Sequence, residues 1–295
     1  MGYNFIDLFP TVIGQLMQPN FYNSGRTYPF NPATGGYLVP SSDLSSGNGF
    51  RYPGVEAFDW FRVKRNIELS YGAMVGQYGN QLESDSANGP IFAGRVQLSY
   101  LYGGGGSLFR NDLTGFAWYQ QARPQLNGAR STMKREGFGA TYRRGYMEAG
   151  GKSLKVEYMQ GSGNIMAPAV FNQSPALLPA QYQTTFYPGS ENKASGYYFT
   201  AGLFVTDKIE LNARYDYYDR LSNIPSQERI FKNTGVGVQY HFSPLTRVVA
   251  DYFVRKIDIP NPNAIGAPGS PQLTLAKNIA NSIGNEFDIY AIFAF

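Results

Sequence analysis

Cysteine is absent from this chain, and histidine occurs once, at His241. The first absence excludes a disulfide framework, thiolate metal ligands and a cysteine nucleophile; the second excludes a His-rich metal site. Charge is sparse as well. Only 16% of residues are charged, against about 25% in an average soluble protein. The net charge of +4 is not gathered into Lys/Arg runs, so a nucleic-acid-binding stripe is excluded. Nowhere is there a run of about 18 apolar residues, the length a membrane-spanning helix requires. A basic export signal is missing too: Met1-Gly2-Tyr3-Asn4-Phe5 has no cationic segment, and Pro10 interrupts the short apolar stretch over residues 5–17. Any exported reading therefore expects a signal already removed, or an N-terminally truncated sequence.

What is abundant is glycine and aromatics: 34 Gly, 23 Tyr and 21 Phe, in a chain whose mean hydropathy is −0.31. Disordered chains lack such aromatics. A chain that is aromatic, Gly-rich and polar on average fits a β-barrel whose strands alternate between lipid and lumen.

The alternation can be read strand by strand. In residues 209–218, Ile209, Leu211, Ala213, Tyr215 and Tyr217 oppose Glu210, Asn212, Arg214 and Asp216. Residues 235–242 set Val236, Val238, Tyr240 and Phe242 against glycines, Gln239 and His241. Residues 247–257 set Val248, Ala250, Tyr252 and Val254 against Arg247, Asp251 and Arg255. Similar segments cover 67–75, 95–102, 137–143, 153–160 and 197–205; residues 55–62 and 113–121 are strand-like with less distinct faces. The chain ends in one more, residues 285–295, with Phe287, Ile289, Ala291, Phe293 and Phe295 on one face and Asp288 on the other.

Connections sort by length. Residues 63–66, 206–208 and 243–246 are tight, and the Gly-bearing connections 103–111 and 145–151 fall on the same side by parity. Residues 161–195, 221–229 and 259–284 are longer and fall on the other side, as does the Gly/Ser/Pro-rich stretch 20–54. Short turns on one rim and long loops on the other is the arrangement of outer-membrane barrels. The expectation is one all-β domain over residues 1–295, an antiparallel transmembrane β-barrel: 1–54 form an irregular N-terminal segment and long loop, and 55–295 the up-and-down strands. From Val55 onward about eleven strands are visible, and residues 3–17 supply a candidate twelfth, since single-chain barrels favour even counts.

On these residues, with Phe295 and its partners, Arg51-Tyr52-Pro53-Gly54-Val55, Glu68-Leu69-Ser70-Tyr71 and Gly235-Val236-Gly237-Val238-Gln239-Tyr240, the chain resembles a Gram-negative outer-membrane porin. It is most similar to the phosphate-selective-porin-like group. The resemblance implies sixteen strands and a homotrimer, so the chain reads as a complete barrel of about twelve strands or as the C-terminal part of a larger one. It also implies partners: outer-membrane lipid and lipopolysaccharide, the barrel-assembly machinery, and small hydrophilic solutes or anions. Phe287, Ile289, Phe293 and Phe295 stand where the assembly signal is expected.

The expected function is passive diffusion of small hydrophilic solutes or ions through a water-filled channel in the bacterial outer membrane, with a mild anion preference. The alternative is a non-channel barrel acting as receptor, adhesin or scaffold through its long loops. Parity assigns Arg95, Arg135, Arg143, Lys155, Glu157, Glu210, Arg214, Asp216, Arg247, Asp251 and Arg255 to the pore wall. Arg123, Arg130, Lys134 and Arg135 form the nearest thing to a basic cluster, placed on a rim facing lipid headgroups or polysaccharide. Residues 161–195, which carry no charge before Glu191, are long enough to fold inward as a constriction and equally to form an external cap. No enzyme activity and no cofactor are expected. A hydrolase would need a Ser hydroxyl within reach of His241, and Gly103-Gly104-Gly105-Gly106 lacks the Lys-Ser/Thr of a phosphate loop.

Overall fold

The computed structural model describes residues 30–31, 36–37, 54–78, 89–103, 109–123, 125–126, 129–163, 165–168, 184–187, 189–281 and 284–293. Eleven strands build one antiparallel sheet in which each strand pairs with its neighbours in sequence: β1 Gly54–Lys64, β2 Ile67–Tyr78, β3 Gly89–Leu101, β4 Asp112–Ala122, β5 Met133–Arg144, β6 Lys152–Ser162, β7 Lys193–Phe204, β8 Ile209–Arg220, β9 Arg229–Ser243, β10 Thr246–Asp258 and β11 Glu286–Phe293. These are the eleven strands that the alternation marks from Val55 onward. The candidate twelfth, residues 3–17, lies outside the described residues, as does most of the 20–54 stretch. Among the described residues β1 and β11 each pair along one edge.

The turns are chemically specified. Between β7 and β8 the Thr206 hydroxyl accepts the N–H groups of Lys208 (3.1 Å) and Ile209 (2.9 Å), an ST-turn that reverses the chain in four residues. Between β9 and β10 the Ser243 hydroxyl accepts the Leu245 N–H, and a bulge between His241 and Ser243 adds twist at the corner. Gly145 opens the β5–β6 turn at φ +67°, where a side chain would be strained. This rim carries the tight turns 65–66, 205–208 and 244–245, with 102–111 its longest connection, and the opposite rim carries the two longest of the sheet, 163–192 and 259–285.

The sheet has two chemically distinct faces. On the convex face Val96, Leu98, Leu211, Val236, Val238, Val254, Phe287, Ile289 and Phe293 are exposed. On the concave face Glu68, Arg95, Asp112, Arg135, Glu157, Glu210, Asp216, Arg229, His241 and Asp288 are buried. This inverts the soluble arrangement, in which charged residues face water and apolar ones are hidden. It is the pattern of strands that alternate apolar-out and polar-in. No helix among the described residues is long and apolar enough to cross a membrane.

The long connection after β10 holds a structure that alternation does not reveal. Residues 259–284 contain a helix, α1 Pro271–Asn281, rather than only loop. Its start is written in Ser270-Pro271: Ser270 caps, accepting the Thr274 N–H on its carbonyl, and Pro271 takes the first helical position, where its missing N–H costs nothing. Leu273, Ala276 and Ala280 are buried at helical spacing. The two alanines join a cluster with Tyr218, Phe231 and Ile257, which are concave-face residues of β8, β9 and β10. The helix therefore docks inside the long-connection rim.

Candidate functional site

All eleven pore-wall candidates lie on the concave face, and the structure gathers most of them into four groups. Strand register explains why. Pairs such as Arg214 opposite Gly235 and Glu157 opposite Gly139 put a long side chain beside a glycine on the same face, leaving it room to lie along the wall.

The first group sits at the short-turn rim. Asp112 is fully buried and accepts two hydrogen bonds from Arg143 (2.8 and 2.9 Å), one from Arg110 (3.0 Å) and one from the Thr114 hydroxyl (2.8 Å). Arg110 also pairs with Glu68. Two guanidiniums between two carboxylates satisfy most of each other's hydrogen-bonding capacity, which a buried charge requires.

The second group occupies mid-wall. The Glu157 carboxylate accepts the Trp118 indole N–H (2.9 Å) and the Tyr198 hydroxyl (2.6 Å). Trp118 reaches it across β5 because residue 137 is glycine; a Cβ there would lie 2.7 Å from the indole nitrogen. Arg95 stacks 4.0 Å over the Phe116 ring, while Lys155 and Arg214 stand 5.2 and 5.1 Å from the centre of the Tyr198 ring. Arg214 forms a fork with Asp216 (2.8–3.1 Å). Three cations thus share mid-wall with two aromatic rings, Phe116 and Tyr198, and two carboxylates, Glu157 and Asp216.

The third group joins the last strands: Asp251 accepts the Tyr290 hydroxyl (3.0 Å), and Arg255 pairs with Glu286 (2.7 Å). The fourth closes the short-turn rim. His241 is fully buried, 3.0 Å from Glu210, against the rings of Phe204 and Tyr146, with Arg247 directly opposite on β10. Tyr146, from the β5–β6 turn, donates to the Pro244 carbonyl (3.1 Å). Burial pushes its hydroxyl above the ordinary phenol range, with Glu210 adding and Arg247 opposing, so it remains a donor at neutral pH. His241, beside the 243–246 turn, is the floor of a polar rim cluster, and its described partners are a carboxylate and a phenol rather than a serine.

Arg135 stands apart, buried on the concave side and donating to the Lys134 and Ser162 carbonyls. The basic cluster over residues 123–135 is thereby split by strand parity. Arg135 points inward while Lys134 is exposed on the convex face. Phe287, Ile289 and Phe293 are exposed on the convex face of β11; Phe295 lies outside the described residues.

Residues 112–122 hold what sequence reasoning missed. Asp112, Thr114, Phe116, Trp118 and Gln120 face inward, opposed by Leu113, Ala117 and Tyr119. Aromatics on both faces hide the period, and only Asp112 and Gln120 could have marked the inner one.

No family model matches the sequence, and no curated protein matches it. Among solved structures the chain is similar to an anion-selective porin from Comamonas acidovorans, at 15% identity and TM-score 0.45 over 75% of this chain and 62% of that one. It is also similar to a porin refined at 1.8 Å resolution (15% identity, TM-score 0.46, 88% of this chain and 71% of that one). A third likeness is to OccAB1 from Acinetobacter baumannii (11% identity, TM-score 0.44, 88% and 61%). The chain thus spans less than two thirds of the first and third of these proteins.

Proposed function

We propose that the protein is a barrel of the bacterial outer membrane that passes small hydrophilic solutes or ions through a narrow, charged lumen. The observation that carries this reading is the inversion of faces: apolar side chains exposed on the convex side, and ion pairs buried on the concave side, through ten consecutive hairpin pairings. A mild anion preference is supported by mid-wall, where the cations Arg95, Lys155 and Arg214 outnumber the carboxylates Glu157 and Asp216. Reconstituted in planar bilayers, the protein should give discrete conductance steps, with a reversal potential shifted toward the anion in a salt gradient. A silent membrane would end the channel reading, and a cation-shifted reversal potential would end the anion preference.

One observation favours the second reading, a barrel that works through its long connections with its bore filled. Helix α1 docks on the concave wall, and Phe116, Trp118 and Tyr198 are buried there. Folded protein that inserts into vesicles without conducting would support it.

A further inference from the structure

The short-turn rim does not leave its mouth open. The β5–β6 turn, residues 145–151, carries Tyr146 away from its own hairpin to the concave side of β7 and β9. Left-handed backbone on both sides of Tyr146, at Gly145 (φ +67°) and Met147 (φ +57°), turns the chain back toward the bore. Methionine has no local hydrogen bond to favour that region, so the surrounding turn must hold it there.

The turn is tied down. The Glu148 N–H donates to the Gly145 carbonyl (3.1 Å), the Gly151 N–H to the Glu148 carbonyl (2.8 Å), and the Gly150 N–H to the Phe204 carbonyl (2.8 Å). The Asn111 side chain accepts the Gly145 N–H (2.7 Å). Gly151 lies so close to the Gly145 carbonyl that a Cβ would overlap it. A loop bonded in this way is a fixed feature of the rim.

Tyr146 joins distant parts of that rim. Its ring meets Phe109 of the β3–β4 connection at 5.6 Å between centroids, and Phe204 and His241 at 5.5 and 5.7 Å, each edge-on. Its hydroxyl donates to Pro244 in the β9–β10 turn. Phe109 stands three residues before β4, and His241 lies on β9. Between those strands the wall runs through five spacings of ~4.8 Å, about 24 Å in all. Two ring-to-ring steps cover the same interval. The rings therefore cut across the bend of the wall as a chord, and a chord lies over the mouth. Phe109 is exposed, so the chord borders water.

We propose that Tyr146 determines the size of solute that passes: Phe109, Tyr146, Phe204 and His241 form a fixed aromatic strap across the short-turn mouth, and the path narrows at the Tyr146 ring. This rests on the channel reading. Helix α1 stands at the opposite rim and is a separate obstruction.

The chain has no cysteine, so Y146C places a single thiol in the strap. Single-channel conductance of wild type, Y146C, Y146F and L245C is recorded in planar bilayers, before and after benzyl methanethiosulfonate and again after reduction. Polyethylene glycols of graded size report the exclusion limit. Y146C should conduct better than wild type and admit larger polymers; the benzyl adduct should reverse both changes, and reduction should restore them. Y146F, which keeps the ring, should keep the wild-type limit. L245C, exposed on the neighbouring turn, should not respond to the reagent. Heat-resistant gel migration verifies folding. A Y146C exclusion limit equal to that of wild type, or an adduct without effect, overturns the strap, while wild-type conductance leaves the channel reading standing. If wild type is silent, a conducting Y146C supports a strap that closes the mouth outright, and a silent Y146C overturns it.

Discussion

Val236 offers the sharpest test of which solvent faces the convex side. It is the middle residue of the fifteen in β9, points outward, and is 58% exposed. A strand of this length, rising ~3.4 Å per residue with a tilt of about 45°, climbs roughly 35 Å. Its centre therefore lies near the midplane of a bilayer whose hydrocarbon is about 30 Å thick. There V236R should destabilise the folded barrel by about 2–4 kcal/mol, which lowers the folding equilibrium roughly 30- to 800-fold. K256R, on the same face near the rim, should cost about 0–1 kcal/mol. On a sheet facing water, V236R would fall within about 0.5 kcal/mol of wild type, as exposed substitutions do. Guanidinium titrations in phospholipid vesicles, followed by heat-modified gel migration, measure the difference. A V236R midpoint indistinguishable from that of K256R would refute the placement of this face in lipid.

Two further outcomes follow from the concave wall. G137V would put a Cβ and its methyls into the Trp118 indole, expel the ring and strip Glu157 of a donor; overpacking and an unsatisfied buried acceptor each cost about 1–3 kcal/mol. Tryptophan fluorescence in a W60F background should shift to the red, and an unshifted spectrum would contradict the packing. A276W should lift α1 from Phe231 and Ile257 and raise single-channel conductance, whereas an unchanged conductance would mean that the helix does not narrow the path.

The fold was legible wherever one face of a strand was uniformly apolar. Residues 209–217 and 247–255 keep an unbroken apolar outward face, so their inward charges could be named from parity alone. The period failed in β4, where Phe116 and Trp118 face inward and Leu113 and Tyr119 outward, and in β1. There, register sets Phe58, Trp60 and Arg62 on the concave side and Asp59 on the convex side. Aromatics are welcome on both walls of a barrel, against lipid on one and against cations on the other, so their presence does not distinguish the faces. Helix α1 was missed for another reason. Reading for a period of two passes over a period of 3.6, although Ser270-Pro271 and the spacing of Leu273, Ala276 and Ala280 announce it. Contacts such as Tyr146 with His241 depend on which turns meet at a rim, and no local pattern encodes that.

The two faces answer different questions. The convex face presents rows of exposed Leu, Val, Ile and Phe on successive strands, whereas a soluble monomer tolerates only a few hundred Å² of contiguous apolar surface. It demands an apolar surrounding whatever the bore contains. The concave face decides whether that bore conducts. Its charges are balanced in pairs, Arg143 with Asp112, Arg214 with Asp216 and Arg255 with Glu286, so each is stabilised by its neighbour and needs no bulk water to survive burial. A wall built in this way stays polar even when α1 and the Trp118–Tyr198 belt crowd it. Membrane residence and conduction are therefore tested separately on this sheet: V236R probes the first, A276W the second, and neither substitution touches the residues on which the other depends.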